Sequence, residues 1–139
     1  MASNTQVTVS QIMVRDPVTL ECDDILDVAD DIMALGRIRH LPVLQGERVV
    51  GVISQRDLFH SALVKTLGFK HREQKDLMRT IRVREVMSQP VITIAPDAPV
   101  KEAALLMMEK KIGCLPVVEK ERFIGVVTET DILRYVVEH

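Results

Sequence analysis

The chain has 139 residues, of which 47% are apolar, 27% charged and 3% aromatic, and its formal net charge at pH 7 is −2. This composition is typical of a folded soluble protein and excludes an intrinsically disordered chain. The small net charge gives no general attraction to nucleic acid or to an anionic membrane, and the scarcity of aromatic residues argues against a base-stacking surface for single-stranded nucleic acid.

The cysteines and the N-terminus indicate the compartment. Cys22 and Cys114 share no metal-binding or redox spacing, which favours reduced thiols, and Cys114 is predicted to be a small core residue. The N-terminus lacks the basic start and apolar core of a signal peptide, and no apolar run approaches the ~18 residues that span a bilayer. We therefore expect a cytoplasmic protein with no metal site and no membrane partner.

The first predicted helix lies within residues 23–36. Asp23 and Asp24 can cap its beginning and Gly36 can end it. The acidic run 21–31 is interpreted as a solvated face that suits the helix dipole, with a metal site as the alternative. The apolar residues follow the spacing of one buried helix face, and they are Ile25, Val28, Ala29, Ile32 and Met33.

A β-hairpin and a second helix are predicted next. The apolar runs 41–44 and 49–53 flank a polar turn, as in a hairpin. Ser54 opens a helix directly after the second strand. The apolar face of that helix is predicted to consist of Leu58, Phe59, Ala62 and Leu63.

The second half of the chain repeats this order. The stretch Gly51-Val52-Ile53-Ser54-Gln55-Arg56-Asp57 returns 74 positions later as Gly125-Val126-Val127-Thr128-Glu129-Thr130-Asp131. Residues 19–63 align with 93–137 without a gap and share 13 identities in 45 positions. Copies of ~60 residues seldom fold alone, so this duplication predicts one module with a pseudo-twofold axis.

Four segments follow from the duplication. They are a loose N-terminus at 1–8, a first repeat at 9–63, a connecting segment at 64–82 and a second repeat at 83–139. The connecting segment is basic and has fair helical spacing, so we predict a connecting helix. We interpret it as a solvated linker or a partner-contact surface in preference to a nucleic-acid arm, because no aromatic residues interleave its charges.

The duplicated hydroxyl and carboxylate are the candidate site. Ser54-x-x-Asp57 and Thr128-x-x-Asp131 each match a capping box, in which both side chains bind the first helical turn. Two matched copies after glycine-containing strand ends also favour a ligand site, and a cap and a site are compatible. A helix N-terminus with a hydroxyl suits phosphate, whereas a carboxylate repels phosphate and suits hydroxyl groups. The residues alone therefore predict a pocket for a polyol phosphate.

The motifs resemble a known family. The repeated extended Thr, helix, Leu-Pro-Val and G-h-h-[ST]-x-x-D pattern is similar to a pair of cystathionine-β-synthase (CBS) domains from Val9 onward. The Met-x-x-x-Pro and Ile-x-His-Leu-Pro-Val motifs resemble small stand-alone prokaryotic members of the acetoin-utilisation type. The resemblance implies an α/β (α+β) fold of two β-α-β-β-α repeats with packed sheets. It also implies a non-catalytic regulatory module whose two clefts bind AMP, ADP, ATP or S-adenosylmethionine.

The resemblance assigns each cleft residues from both repeats. The acid and hydroxyl come from one repeat, and the extended Thr and the adenine wall come from the other. One cleft would combine Thr128 and Asp131 with Thr19, Ile38 and Arg39, and the other would combine Ser54 and Asp57 with Thr93, Ile112 and Gly113. For Thr19 and Thr93, strand propensity alone is an alternative explanation.

The two clefts are expected to differ. Arg39 and His40 of the first repeat stand where the second has Gly113 and Cys114, so the cleft with Arg39 is expected to prefer the more highly charged nucleotide. An Arg-His pair at a solvated strand edge is the alternative. Asp24 opposes this preference, because its charge would weaken phosphate binding near Asp131.

The main functional hypothesis is a ligand-sensing module that acts in trans or by assembly, with no required cofactor, an adenosyl ligand and a homodimer formed through the helix after Thr128. The alternative is an interaction module with vestigial clefts. An enzyme is disfavoured because the sequence has no nucleophile, nucleotide-hydrolysis or metal-ligand motif. Nucleic-acid binding through the connecting segment is the weakest hypothesis.

Overall fold

The computed structural model describes residues 6–36, 38–58 and 71–139. They form two compact units. The central unit is Val18–Val91, and the terminal unit combines the residues up to Pro17 with Ile92–His139. In chain order the elements are α1 (Val9–Ile12), β1 (Val14–Arg15), β2 (Leu20–Glu21), α2 (Leu26–Gly36), β3 (His40–Gln45), β4 (Arg48–Ser54), α3 (His71–Met78), a 3-10 turn (Val83–Glu85), α4 (Val100–Lys110), β5 (Cys114–Glu119), β6 (Arg122–Thr128) and α5 (Glu129–Glu138).

Each unit contains a three-stranded sheet built on the predicted hairpin. The strand order is β2-β3-β4 in the central unit and β1-β6-β5 in the terminal unit. The hairpins have the same register, since His40 pairs with Ser54 and Cys114 pairs with Thr128, 74 positions later in both strands. Both hairpins have an irregularity at the same place, after Val43 and after Val117. The sequence duplication is therefore a structural duplication.

The remaining strand pairings also repeat at this offset. β2 runs parallel to β3 with Leu20 opposite Val43, and Ile94 makes an isolated parallel bridge to Val117. On the other side of each hairpin, Val14 pairs with Val126 in the terminal unit, and Ser88 pairs with Val52 in the central unit. The segment that precedes the extended Thr of each repeat thus pairs with the hairpin of the other repeat.

Glycine allows these preceding segments to approach the hairpins closely. A Cβ atom at Gly125 would lie 2.6 Å from the backbone oxygen of Val14. A Cβ atom at Gly51 would lie 2.6 Å from the Met87 sulfur and 3.0 Å from the backbone oxygen of Ser88. Because real Cβ atoms essentially never lie 2.6 Å from another heavy atom, an alanine would have to displace the Val14 backbone at Gly125 and chiefly the Met87 side chain at Gly51.

Each unit has its own aliphatic core between its helices and its sheet. In the central unit α2 buries Leu26, Ala29 and Met33. In the terminal unit α4 buries Val100, Ala103 and Met107. Alternate strand residues complete both cores, namely Leu41, Val43 and Ile53 in one and Leu115, Val117 and Val127 in the other.

These observations confirm mixed helix and strand content with two β-α-β-β-α-like repeats. The predicted capping of α2 by Asp23 and Asp24 is wrong. The Asp24 carboxylate accepts a hydrogen bond from the Glu21 backbone amide at 2.8 Å and closes a turn before the helix, while Asp23 pairs with Arg84. The predicted apolar face over 59–63, and residues 64–70 of the connecting segment, lie outside the described residues; its later part is helical in α3.

Candidate functional site

The Ser54 cap, defined as Ser54 with Asp57, joins β4 to the helical residues 55–58. The Ser54 hydroxyl accepts a hydrogen bond from the Asp57 amide at 3.0 Å, and Asp57 Oδ2 accepts one from the Ser54 amide at 3.2 Å. These reciprocal bonds are those of a capping box. They fix the carboxylate and the hydroxyl at the first turn of the helix.

The Thr128 cap, defined as Thr128 with Asp131, repeats this arrangement between β6 and α5. The Thr128 hydroxyl accepts a hydrogen bond from the Asp131 amide at 3.4 Å, and Asp131 Oδ2 accepts one from the Thr128 amide at 2.8 Å. The same oxygen also accepts a hydrogen bond from the Thr128 hydroxyl at 3.0 Å. Asp131 is 6% exposed, and Arg134 pairs with its other oxygen at 3.6 Å. The predicted caps are therefore present in both units.

A turn residue lies beside each cap. The Gln55 amide donates to the Arg39 carbonyl at 2.7 Å, and the Glu129 amide donates to the Gly113 carbonyl at 3.0 Å. These bonds hold the residues before β3 and β5 against the helix that begins at the cap. Arg39 and Gly113 thus belong to the immediate surroundings of the cap within their own unit.

The predicted site residues divide between the units. Thr19, Ile38, Arg39, His40, Ser54 and Asp57 belong to the central unit, and Thr93, Ile112, Gly113, Thr128 and Asp131 belong to the terminal unit. Each unit therefore contains one cap together with the extended Thr and turn residues that the resemblance assigns to the opposite cap. The combination of these halves into two clefts stays a prediction.

The sequence reasoning missed one polar residue at the Ser54 cap. The Ser88 hydroxyl donates to Asp57 Oδ2 at 3.3 Å. Its counterpart 74 positions earlier is Val14, which has no hydroxyl. Both residues lie outside the aligned ranges 19–63 and 93–137, so the repeat alignment gives no signal for Ser88, and its hydrogen bond to Asp57 identifies it as part of the cap.

Cys114 lies next to the Thr128 cap and is a buried thiol, 4% exposed. Burial, with a smaller contribution from the negative charge of Asp131, raises the pKa of Cys114 to about 12. The thiol is therefore protonated near neutral pH and is not a nucleophile. The prediction of a core cysteine at this position is confirmed.

The acidic run of α2 is held by a lysine. Asp27, Asp30 and Asp31 bring carboxylate oxygens within 4.8 Å of one another, as a metal site would require. Lys75 of α3 lies among them, with Nζ 2.6 Å from Asp31 and 2.9 Å from Asp30. Its 2.5 Å contact with Asp27 Oδ1 is an ion pair and not a well-aligned hydrogen bond. An ammonium group thus compensates the charge that a cation would neutralise.

These contacts shift the pKa values of both partners. Contact with Lys75 lowers the pKa of Asp27 although burial opposes the shift, and Arg79 acts in the same direction. Partial burial acts to lower the pKa of Lys75, but the three carboxylates outweigh it and raise that pKa. Both groups are therefore charged near neutral pH. The interpretation of the acidic run as a solvated face is wrong for Asp27, which is buried, whereas Glu21, Asp23 and Asp31 are exposed.

Within the described residues, no helix is both long and apolar enough to cross a membrane.

Comparison with known proteins shows the same duplicated module elsewhere. The model of the CBS domain family matches residues 9–63 and again 83–138. A CBS domain-containing protein of Dictyostelium discoideum is 35% identical over 130 residues, which are 92% of this chain and 90% of that protein. A homoserine O-acetyltransferase of Methanohalobium evestigatum is 33% identical over 132 residues, but the chain spans only 24% of its length.

Solved structures are similar over nearly the whole chain. A Vibrio cholerae protein assigned to acetoin utilization has a TM-score of 0.78 and 33% identity, and the match covers 96% of this chain and 92% of the other. A CBS domain pair in complex with 5′-methylthioadenosine and S-adenosyl-L-methionine also has a TM-score of 0.78, with 26% identity and coverage of 96% and 98%.

Proposed function

This chain belongs to the CBS domain family, and we propose that it is a regulatory module that binds adenosyl ligands at its two caps. The observation that carries the proposal is the pair of caps itself. At equivalent positions, each unit holds an aspartate carboxylate and a hydroxyl side by side at a helix N-terminus. A carboxylate accepts hydrogen bonds from vicinal hydroxyls, and a helix N-terminus favours phosphate.

The chemistry of a nucleoside fits this combination. The ribose supplies hydroxyl donors for Asp57 or Asp131, and a 5′-substituent lies toward Ser54 or Thr128. The similar CBS pair bound to 5′-methylthioadenosine and S-adenosyl-L-methionine supports an adenosyl ligand over other polyols. AMP, ADP and ATP remain candidates through the family resemblance.

We propose that residues from the opposite repeat complete each binding site. The Thr128 cap would take Thr19 and the backbone at Ile38 and Arg39, with His40 beside them. The Ser54 cap would take Thr93 and the backbone at Ile112 and Gly113. Because Arg39 is exposed and its counterpart is glycine, the Thr128 cap is the one expected to accept the more highly charged nucleotide.

Isothermal titration calorimetry with AMP, ADP, ATP and S-adenosylmethionine tests the proposal. Asp57→Asn and Asp131→Asn keep the side-chain shape and remove the charge, so each is expected to eliminate one of two binding events. Glu47→Gln and Glu121→Gln remove a charge at equivalent hairpin turns and serve as matched controls with unchanged binding. Absence of heat with all four compounds on folded wild-type protein would refute the proposal.

A second candidate is an interaction module whose clefts bind nothing. It is favoured by the apolar surface of α5, where Leu133 and Val136 are each 63% exposed and Val137 is 82% exposed. Exposed apolar patches of this kind mark protein contact surfaces. We propose that this surface forms a homodimer, which Leu133→Glu with Val137→Glu is expected to dissociate in sedimentation velocity. A dimer indifferent to every adenosyl compound and to both Asp→Asn changes would favour this candidate.

A further inference from the structure

Ser88 lies outside the duplicated caps and yet reaches one of them. Its backbone is tied to β4, since the Ser88 amide donates to the Val52 carbonyl at 2.9 Å. Val52 is two residues before Ser54, so this pairing fixes Ser88 next to the Ser54 cap. The equivalent pairing of Val14 with Val126 places a valine next to the Thr128 cap. The two caps therefore have the same frame but a different third side chain.

The side chain beside each cap, Ser88 or Val14, determines which hydroxyl donates a hydrogen bond to the cap carboxylate. In the Thr128 cap, Asp131 Oδ2 accepts hydrogen bonds from the Thr128 amide and the Thr128 hydroxyl. In the Ser54 cap, Asp57 Oδ2 accepts hydrogen bonds from the Ser54 amide and the Ser88 hydroxyl. Ser88 thus takes the place that the hydroxyl of the cap residue itself occupies in the other unit.

A hydroxyl has one proton to donate. The Thr128 hydroxyl directs its proton to Asp131 at 3.0 Å. Within the described part of the chain, the Ser54 hydroxyl accepts from the Asp57 amide, and the hydroxyl proton on Asp57 Oδ2 comes from Ser88. Within these contacts, the Ser54 proton is therefore available for a ligand oxygen.

We propose that Ser88 is a positioning and specificity residue of the Ser54 cap. By holding Asp57 through Oδ2, it frees the Ser54 hydroxyl to donate to an anionic 5′-substituent, such as a nucleoside monophosphate. This inference rests on the proposed function for its ligand. Its structural part, the orientation of Asp57 by Ser88, is independent of any ligand.

The test replaces Ser88 by the residue found in the other unit. Ser88→Val is expected to weaken AMP binding at one of the two sites about tenfold, since a hydrogen bond to a charged group is lost. Adenosine, which lacks the phosphate, is expected to lose less. Ser88→Thr restores the hydroxyl and is expected to restore AMP binding, and Val14→Ser is the matched control that leaves this site unchanged. Equal AMP affinities of Ser88→Val and wild type would overturn the ligand part.

A measurement without ligand separates this inference from the proposed function. Because Asp57 Oδ2 accepts from the Ser54 amide, loss of the Ser88 hydrogen bond is expected to speed exchange of that amide about tenfold in Ser88→Val and not in Ser88→Thr. Unchanged exchange by NMR would overturn the positioning role. Failure of wild type to bind AMP, ADP, ATP and S-adenosylmethionine would instead refute the proposed function, and the exchange result would still decide whether Ser88 orients Asp57.

Discussion

The central and terminal units have the same backbone pairings and differ in their polar side chains. Hairpin register, strand irregularity, glycine contacts and caps all repeat at an offset of 74 residues. The caps, however, differ in burial and in donors. Among the described residues, Asp131 Oδ2 accepts hydrogen bonds only from Thr128, whereas Asp57 Oδ2 accepts them from Ser54 and Ser88. The backbone of the duplicated unit is therefore the same in both halves, and the differences between the caps lie in the side chains next to it.

The helices that follow the extended threonines differ even more. On α2, Asp27, Asp30 and Asp31 hold Lys75. Their counterparts on α4 are Lys101, Ala104 and Leu105, which can form no such cluster. The ion pairs of Lys75 therefore hold α3, which lies in the segment between the repeats, against α2 of the first repeat.

The largest difference in stability between equivalent substitutions in the two units is expected at Gly51 and Gly125. Gly125→Ala places a Cβ atom against a backbone oxygen that cannot move alone, and we expect a loss of about 3 kcal/mol in the free energy of unfolding. Gly51→Ala mainly meets the flexible Met87 side chain, so we expect a loss of about 1 kcal/mol. Urea unfolding of both variants measures the comparison, and equal losses would contradict it.

A smaller effect is expected from the lysine that only the central unit holds. Lys75→Met leaves the buried Asp27 with Arg79 as its one partner among the described residues, and is expected to lower the free energy of unfolding by about 2 kcal/mol at pH 7. Lys101→Met removes an exposed charge from the equivalent surface of α4 and is the control. Equal unfolding midpoints for the two variants would show that the cluster contributes no stability.

The same variant predicts a change in the pH dependence of stability. Because the pKa of Asp27 is lower in the folded state, its ion pair stabilises the protein above the unfolded pKa of about 3.9, and this contribution is lost as the pH falls through the folded value. Lys75→Met removes the main cause of the lowered pKa. The stability of this variant is therefore expected to fall less than that of wild type between about pH 5 and pH 2, as urea titrations at each pH can measure.

The smallest difference is expected between the cap hydroxyls. Ser54→Ala removes one cap bond, at a cost of about 1 kcal/mol, because Ser88 continues to donate to Asp57. Thr128→Ala also removes a donor from the buried Asp131 and is expected to cost about 2 kcal/mol. Urea unfolding of the two variants compares their losses in free energy of unfolding. A larger loss in Ser54→Ala than in Thr128→Ala would contradict the assigned roles of the hydroxyls.

Local sequence patterns predicted the hairpins, the caps and the buried Cys114. The apolar runs 41–44 and 49–53 and the repeated hydroxyl and acid depend on neighbours in sequence, so their structure follows from local rules. The fold class followed from the duplication. These are the features in which local preference and tertiary packing agree.

The contacts of Lys75 and Ser88 could not be predicted in this way. Lys75 meets Asp31 across 44 residues and Ser88 meets Asp57 across 31. Neither separation has a periodic signal, because the contacts depend on which elements pack together. The basic segment was therefore interpreted only as a linker or partner surface. For the same reason Asp24, adjacent to a predicted helix start, was assigned to the helix although it closes the preceding turn.

The exchanged pairing of the preceding segments has a consequence for synthesis. The central unit is continuous in sequence from Val18 to Val91, so it has all its own residues once that stretch has been translated. The residues before Pro17 emerge earlier but pair with β6, more than 100 residues later. We therefore expect β1 to stay unpaired during translation while the central unit folds. The terminal unit is expected to fold last, once β6 has been synthesised.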